Sequence, residues 1–390
     1  MTIAPPVTAS ARRPIFGTDH DAFRESVRGF LAREAVPHTE AWEEAGMVPR
    51  AFWSKAATQG LVGWEVPEEY GGAGIRDFRF NAVLNEEMSY AGAVGDNFSL
   101  QNDILVPYLL ELATDDQKQR WLPPFVAGDL LFAIAMSEPE MGSDLRAMTT
   151  SATRAGGGWL VNGSKTFVTS GIQADMVIVA ARPSDAERRG QLNLLVVEGG
   201  MEGFKRGRKL KKIGRLAQDT AELFFDDVFV PDANLLGEER RGLDHLKVHL
   251  PQERMSQAVV AVAVAEAALD LTVAYCRERR AFGKPIGEHQ AIRFALAEMR
   301  NEVDVSRAYI DRCIERHVDG KLSGEDAAGA KLWTTEMQFR VVDRCVQLHG
   351  GYGYMEEYPI ARMWRDARVQ RIYGGTSEIL KEIIGRSMGF

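Results

Sequence analysis

Cysteine is scarce in this 390-residue chain: only Cys276, Cys313 and Cys345 occur, far apart and odd in number. No C-x-x-C pair exists, so neither a disulfide framework nor a thiolate zinc site is supported, and a reducing cytoplasmic compartment fits best. Long apolar runs are missing as well; none approaches the ~18–20 residues of a membrane span. The stretch around Val259–Leu271 carries Glu266 and Asp270 and reads as a buried soluble helix. A basic excess is also lacking. The net charge of −8 and pI near 5.6 argue against nucleic acid as a partner. No G-x-G-x-x-G follows a strand-like run, which disfavours a doubly wound dinucleotide site. Internal repeats and low-complexity linkers are absent.

What is present is ordinary globular material, with 45% hydrophobic and 26% charged residues. The length calls for two or three domains. Residues Met1–Pro14 lack acids and carry Arg12 and Arg13, but Pro5-Pro6 would break the amphipathic helix of a transit peptide, so a mobile tail is expected. From Asp19 to about Leu131 apolar residues recur at helical spacing, as in Phe23, Val27, Phe30 and Leu31. From about Phe132 to Gly237 come short β-prone runs, Met176–Ala181, Leu192–Val197 and Leu223–Val230. Turn signals at Ala155–Gly158 and Asn162-Gly163 separate them and suggest an antiparallel β-domain. Long helical patterns follow near 251–280, 288–318 and 323–349, with a last helix from about Ser377, as in a bundle. The expected fold class is α+β multidomain: a helical domain over 1–131, a β-domain over 132–237 and a helical bundle over 238–390.

Five motifs carry chemistry. Near the C-terminus stands Arg371-Ile372-Tyr373-Gly374-Gly375-Thr376-Ser377-Glu378-Ile379. Before it come Gln347-Leu348-His349-Gly350-Gly351-Tyr352-Gly353 and the spaced set Tyr275, Arg279, Phe282, Gly283, Ile286 and Gln290. In the β-region lie Met136-Ser137-Glu138-Pro139-Glu140-Met141-Gly142-Ser143-Asp144 and Lys165-Thr166-Phe167-Val168-Thr169-Ser170-Gly171. Taken singly each has a plain reading: a helix-ending loop, a salt-bridged surface Arg, a core aromatic on a strand. Together and in this order the five resemble the acyl-CoA dehydrogenase family, whose closing signature is I-Y-E-G-T-S/N-E/Q-I.

That resemblance implies FAD as cofactor. Met136, Ser137, Phe167 and Thr169 would contact the flavin ring, and Arg279 would pair with a diphosphate oxygen. Gln347, Gly350 and Gly351 would contact the flavin diphosphate of a neighbouring subunit, and Phe282, Gln290, Thr376 and Glu378 complete the cofactor set. Glycines suit a diphosphate contact because backbone N–H groups can approach without an intervening Cβ. The implied substrate is an acyl-CoA, touched by Ser143, Arg254, Tyr373, Gly374 and Gly375. A homotetramer and an electron-transferring flavoprotein as acceptor are implied as well.

The family's base, the Glu of its closing signature, is replaced here by Gly374. Abstraction of a proton α to a thioester needs a carboxylate with a raised pKa and a donor to the developing enolate oxygen. The donor in the family includes the backbone N–H at the Gly374 position, which survives the substitution. Glu253, in Leu250-Pro251-Gln252-Glu253-Arg254, is the candidate carboxylate. Long-chain and isovaleryl-CoA dehydrogenases are similar at both places, with Gly or Ala in the signature and the base before an Arg on the first bundle helix.

Other readings compete. Glu253 as a solvated residue would only complement a helix dipole. His245, His249 and Glu253 have i, i+4, i+8 spacing, but Pro251 is expected to kink or start the helix there, and no metal is assigned. The basic run Lys205–Lys212 reads as a solvated face. An acyl-CoA oxidase, or a non-catalytic flavoprotein of the same fold, would carry the same motifs. Acyl length stays open, with depth set around Asn97-Phe98-Ser99-Leu100-Gln101.

Overall fold

The computed structural model describes residues 13–92, 98–187 and 190–390. Six helices come first: α1 (Thr18–Glu34), α2 (Thr39–Ala45), α3 (Arg50–Thr58), α4 (Phe78–Ala91), α5 (Val106–Leu112) and α6 (Asp115–Val126). Their boundaries follow local chemistry. Asp77 caps α4 by accepting from Arg79 N, and Thr114 with Gln117 forms a capping box on α6. Ser99–Leu105, which runs into α5, is a π-helical stretch. The apolar faces of these helices, with Trp53, Phe98, Trp121 and Phe125, pack onto one side of the sheet through Phe132, Ile178 and Val196.

The sheet contains β1 (Phe132–Ala135), β2 (Ser151–Ala155), β3 (Gly158–Thr169), β4 (Met176–Pro183), β5 (Asn193–Glu198), β6 (Phe204–Lys209), β7 (Thr220–Pro231) and β8 (Leu235–Leu236). Its order is β6-β7-β3-β2-β4-β5-β8, with β1 also on β4. Pairing is antiparallel except where β1 and β2 run parallel to β4. Asn162-Gly163 does not turn the chain. It lies inside β3 as a bulge, with Gly163 at φ +141° and no room for a Cβ beside Thr150. The basic run is likewise more than a solvated face. Lys205 to Lys209 form part of edge strand β6, Lys209 reaches Ala45 O, and Lys212 donates to Gln218 O. Pairing with β7 imposes a strand that composition alone disfavours.

The C-terminal region holds α7 (Gly242–Glu278), α8 (Gln290–Val318), α9 (Gly324–His349), α10 (Pro359–Ala367) and α11 (Ser377–Ser387). Pro251 neither starts nor ends α7, which runs unbroken through it for 37 residues. An internal proline costs about 3 kcal/mol, which burial of both halves of α7 outweighs. By length and composition α7 is the one helix among the described residues apolar enough to cross a membrane. In the fold 67% of its apolar window is buried, because α7 packs against α4, α8 and α9.

Of the expected tail, residues 1–12 lie outside the described part, but Arg13 is anchored. It pairs with Glu86 of α4 and Asp311 of α8. Glu86 is 1% exposed and also binds Arg24 and Arg307, each at 2.8 Å. Burial would raise its pKa, yet Arg13, Arg307 and Arg24 overcome burial and hold it down to about 2. A depressed carboxylate stabilises the fold above its unfolded pKa, and that contribution disappears as pH falls from about 4.5 towards 2. Urea titrations across this window should show stability dropping by on the order of 3 kcal/mol more in the wild type than in Glu86→Gln. Equal slopes in the two proteins would contradict this account.

Candidate active site

Glu253 sits on the buried side of α7 at 9% exposure. Burial raises its pKa, while Lys331 of α9, neighbouring Arg254 and a hydrogen bond from Gln257 pull the other way. Gln257 Nε2 donates to Glu253 Oε1 at 3.3 Å. His245 and His249 do share the helix with Glu253 but face other partners. His245 accepts from Glu238 N, and His249 packs its ring 4.2 Å from Tyr108. Among the described residues no group of His, Cys, Asp or Glu has a metal-binding arrangement.

The turn over Tyr373–Gly375 meets this carboxylate region from the other side. Gly374 and Gly375 have φ of +61° and +99°, backbone that favours glycine. A Cβ at Gly374 would lie 2.3 Å from Gln257 Nε2, so the Gln257 amide fills the space where a side chain at 374 would begin. Lys331, fully buried, donates to Tyr373 O and, at 2.5 Å, to Gly375 O. Burial lowers its pKa to about 7; Glu253 opposes that shift and Arg254 adds to it. Arg254 is buried too, its pKa lowered by burial, and its Nε has no partner. Neither Lys331 nor Gln257 was legible as a site residue, because each sits in an ordinary helical pattern and acquires meaning only from the turn packed against it.

An open cleft lies further along α7, and Glu253, Lys331 and Gly374 are not among its lining residues. Met88, Phe98, Ala217, Val260, Val264 and Met363 supply apolar lining, while Ser99, Gln370 and the charged Glu43, Arg215, Arg362 and Asp366 line the rest. Phe98 and Ser99 belong to the segment expected to set acyl depth, whereas Asn97 lies outside the described residues. Glu253, Val260 and Val264 are spaced i, i+7, i+11 on α7, hence on one face, roughly 10 and 16 Å along the axis.

Two further groups of motif residues are assembled separately. Met136 and Ser137, after β1, are tied to β3: Thr166 N donates to Ser137 O at 2.9 Å, and Lys165 Nζ to Met136 O at 3.1 Å. Lys165 also pairs with Glu138 at 2.9 Å, and both are buried. Burial lowers Lys165 to about 8, while Thr149, Thr150 and Lys165 overcome burial at Glu138 and hold it near 2. This pair presents Phe167, 71% exposed at φ +58°, beside half-buried Thr169. Ser143 is exposed in the following loop. The second group spans the ends of α7 and α9. Tyr275 stacks on His349 at 4.3 Å, and Arg279 lies over Tyr352 at 5.7 Å. Arg279, Phe282, Gln290, Gln347, Gly350 and Gly351 are all exposed there. Among the described residues no hydrogen bond or ion pair joins the two groups. Thr376 caps α11 by accepting from Ile379 N, and Glu378 is exposed in its first turn.

Three family models cover nearly the whole chain: the acyl-CoA dehydrogenase N-terminal domain over residues 17–129, the middle domain over 133–228 and the C-terminal domain over 240–389. The chain belongs to the acyl-CoA dehydrogenase family. It is 46% identical to the rat long-chain specific acyl-CoA dehydrogenase over 96% of this chain and 88% of that protein. Identity to the rice isovaleryl-CoA dehydrogenase is 35%, over 97% and 93% of the two chains. An acyl-CoA dehydrogenase from Geobacillus kaustophilus superposes with a TM-score of 0.95 at 46% identity, covering 98% of this chain and all of that one.

FAD, the cofactor of acyl-CoA dehydrogenases, fits the residues present. A solvent-facing Phe167 in a left-handed conformation is explained by a flat apolar partner, and the exposed Arg279 suits a diphosphate. A Cβ at Gly350 or Gly351 would meet nothing of this chain within 4 Å, so these positions are open to an approaching ligand.

The steric relation between Gly374 and Gln257 is testable. Gly374→Ala should lower urea stability by about 1–3 kcal/mol through backbone conformation and overlap with Gln257. In a Gln257→Ala background the overlap disappears and the loss should shrink by more than the error of a double-mutant cycle. Additive losses would mean that Gln257 does not occupy that space.

Proposed function

We propose that this acyl-CoA dehydrogenase catalyses FAD-dependent α,β-dehydrogenation of an acyl-CoA thioester to the trans-2-enoyl-CoA, with Glu253 as the base. The observation that carries the reading is a buried carboxylate of raised pKa on α7, opposite a turn whose own side chain is missing at Gly374, with a cleft of mixed lining further along the same helix face. Bound FAD supplies the acceptor for the β-hydrogen and its electron pair. Glu253 takes the α-proton, and desolvation makes its carboxylate basic enough for the task. The Gly374 N–H donates to the thioester oxygen as negative charge develops there. Arg254, with an unpartnered buried Nε, faces the CoA side, and Tyr373 and Gly375 shape the wall around the reacting carbons.

Met136, Ser137, Phe167 and Thr169 hold the flavin ring of their own subunit. Arg279, Phe282, Gln290, Gln347, Gly350 and Gly351, exposed together at the ends of α7 and α9, are proposed to serve a neighbour's cofactor, as the family resemblance implies. A homotetramer is the proposed assembly. An electron-transferring flavoprotein is the proposed acceptor, and a reducing cytoplasm, supported by three buried free thiols, the proposed compartment.

Glu253→Gln should remain yellow and FAD-loaded while anaerobic flavin bleaching by acyl-CoA slows about 10²–10⁴-fold. Residual turnover above a tenth of wild type would remove Glu253 from the role. In the wild type the rate should rise with pH through the raised pKa of Glu253, because only the carboxylate accepts the proton. Peroxide release at substrate-limited rates without a protein acceptor would point to an oxidase instead.

The cleft is proposed to take the distal acyl chain. Val264→Phe should lower kcat/KM for long acyl-CoAs well before short ones, by about tenfold or more. A uniform loss across chain lengths would place the chain elsewhere.

A further inference from the structure

We infer that Lys331 is a positioning residue for the reaction: its buried side chain aims the Gly374 N–H and supplies the positive charge facing Glu253 from α9. The inference rests on the proposed acyl-CoA chemistry and starts from peptide geometry. Lys331 Nζ donates to the carbonyl oxygens of Tyr373 and Gly375, two residues apart. The Tyr373 carbonyl and the Gly374 N–H belong to one planar trans unit and point in opposite directions. Fixing that carbonyl on Lys331 therefore turns the Gly374 N–H away from α9, and no group of the described protein accepts from it. The two left-handed glycines let alternate carbonyls converge on one ammonium, an arrangement that ordinary side chains at 374 and 375 would resist.

A lysine with no exposed surface needs such partners. Two carbonyls satisfy two of its three donors, and its ammonium lies over the Tyr373 ring at 5.9 Å. Other groups face the same space. Arg254 stands beside Glu253 on α7, Gln257 bonds Glu253 from one turn on, and Tyr108 approaches from α5. Burial, then the Glu253 charge, push the Tyr108 hydroxyl upward, so it stays neutral in the working range. His249, one turn before Glu253, is lowered by burial to about 4 and is neutral there too. The cations opposing burial at Glu253 are thus Arg254 and, below its own lowered pKa of about 7, Lys331, with Lys331 the larger influence in that acid range.

The test compares FAD-loaded wild type, Lys331→Met and Lys331→Gln. Two readouts apply: the pH profile of kcat, and the infrared carbonyl frequency of bound trans-2-enoyl-CoA. In Lys331→Met, kcat should fall about tenfold or more with KM changed less than about threefold. Its acid limb should move to higher pH, because loss of a facing cation raises the Glu253 pKa. The bound carbonyl frequency should return towards that of the free thioester as the N–H loses its aim. Lys331→Gln keeps an uncharged N–H donor group, so its acid limb should move likewise while the carbonyl shift is partly retained. If Lys331→Met does not fold, the Gln variant decides. Folded, FAD-loaded variants with an unmoved acid limb and unmoved carbonyl frequency overturn the inference. A wild type whose flavin no acyl-CoA bleaches would instead defeat the functional reading itself.

Discussion

Taking the Glu253 carboxylate out of water is unfavourable, and much of the C-terminal half is arranged around that fact. An isolated buried carboxylate would take up a proton and lose its basicity at neutral pH. Here burial does raise the pKa, but Lys331, Arg254 and the Gln257 amide limit the rise. The balance needs three elements at once: α7 for Glu253, Arg254 and Gln257, α9 for Lys331, and the Tyr373–Gly375 turn that Lys331 grips. Glu253, Arg254 and Gln257 all lie just after Pro251, on the part of α7 that packs into the bundle core.

The same logic of buried charge recurs in the β-domain and at the N-terminal edge. Lys165 and Glu138 bind the loop after β1 to β3, and so give the exposed Phe167 a fixed platform. Glu86 gathers Arg13, Arg24 and Arg307 and ties the segment around Arg13 and α1 to α4 and the bundle. In neither place does the pair need to exceed a hydrophobic replacement in stability. Its value lies in register, since one loop, or one chain end, is held in one place relative to another.

Much of this was legible before any coordinates. The helical, β, helical order follows from periodicity, and the five spaced motifs point to the family. What escaped was set by tertiary pairing. β6, written Phe-Lys-Arg-Gly-Arg-Lys, has little intrinsic strand character and exists because β7 offers an edge. Asn162-Gly163 has turn composition, yet β3 absorbs it as a bulge beside Thr150. Pro251 has the local character of a helix start, which the packing of α7 overrides. Glu253 could be singled out because a neighbouring motif lacked its carboxylate. Lys331 and Gln257 leave no such gap, since a Lys or a Gln in a helix is unremarkable until its burial is known.

Gly374 gathers these strands of argument. A carboxylate at 374 would sit on a left-handed backbone, φ +61°, and would have to displace the Gln257 amide, 2.3 Å from the Cβ position. Gln257 in turn donates to Glu253, so the group that blocks one position for a base also orients the carboxylate at the other. The glycine is therefore not simply a side chain removed from an otherwise unchanged site. Its turn is shaped so that the carbonyls on either side of it meet Lys331, leaving its own N–H directed the opposite way. In such a site, restoring Glu at 374 alone would introduce strain and overlap without reproducing the alternative geometry. Moving the base between the two positions therefore involves the Gln257 side chain as well as residue 374.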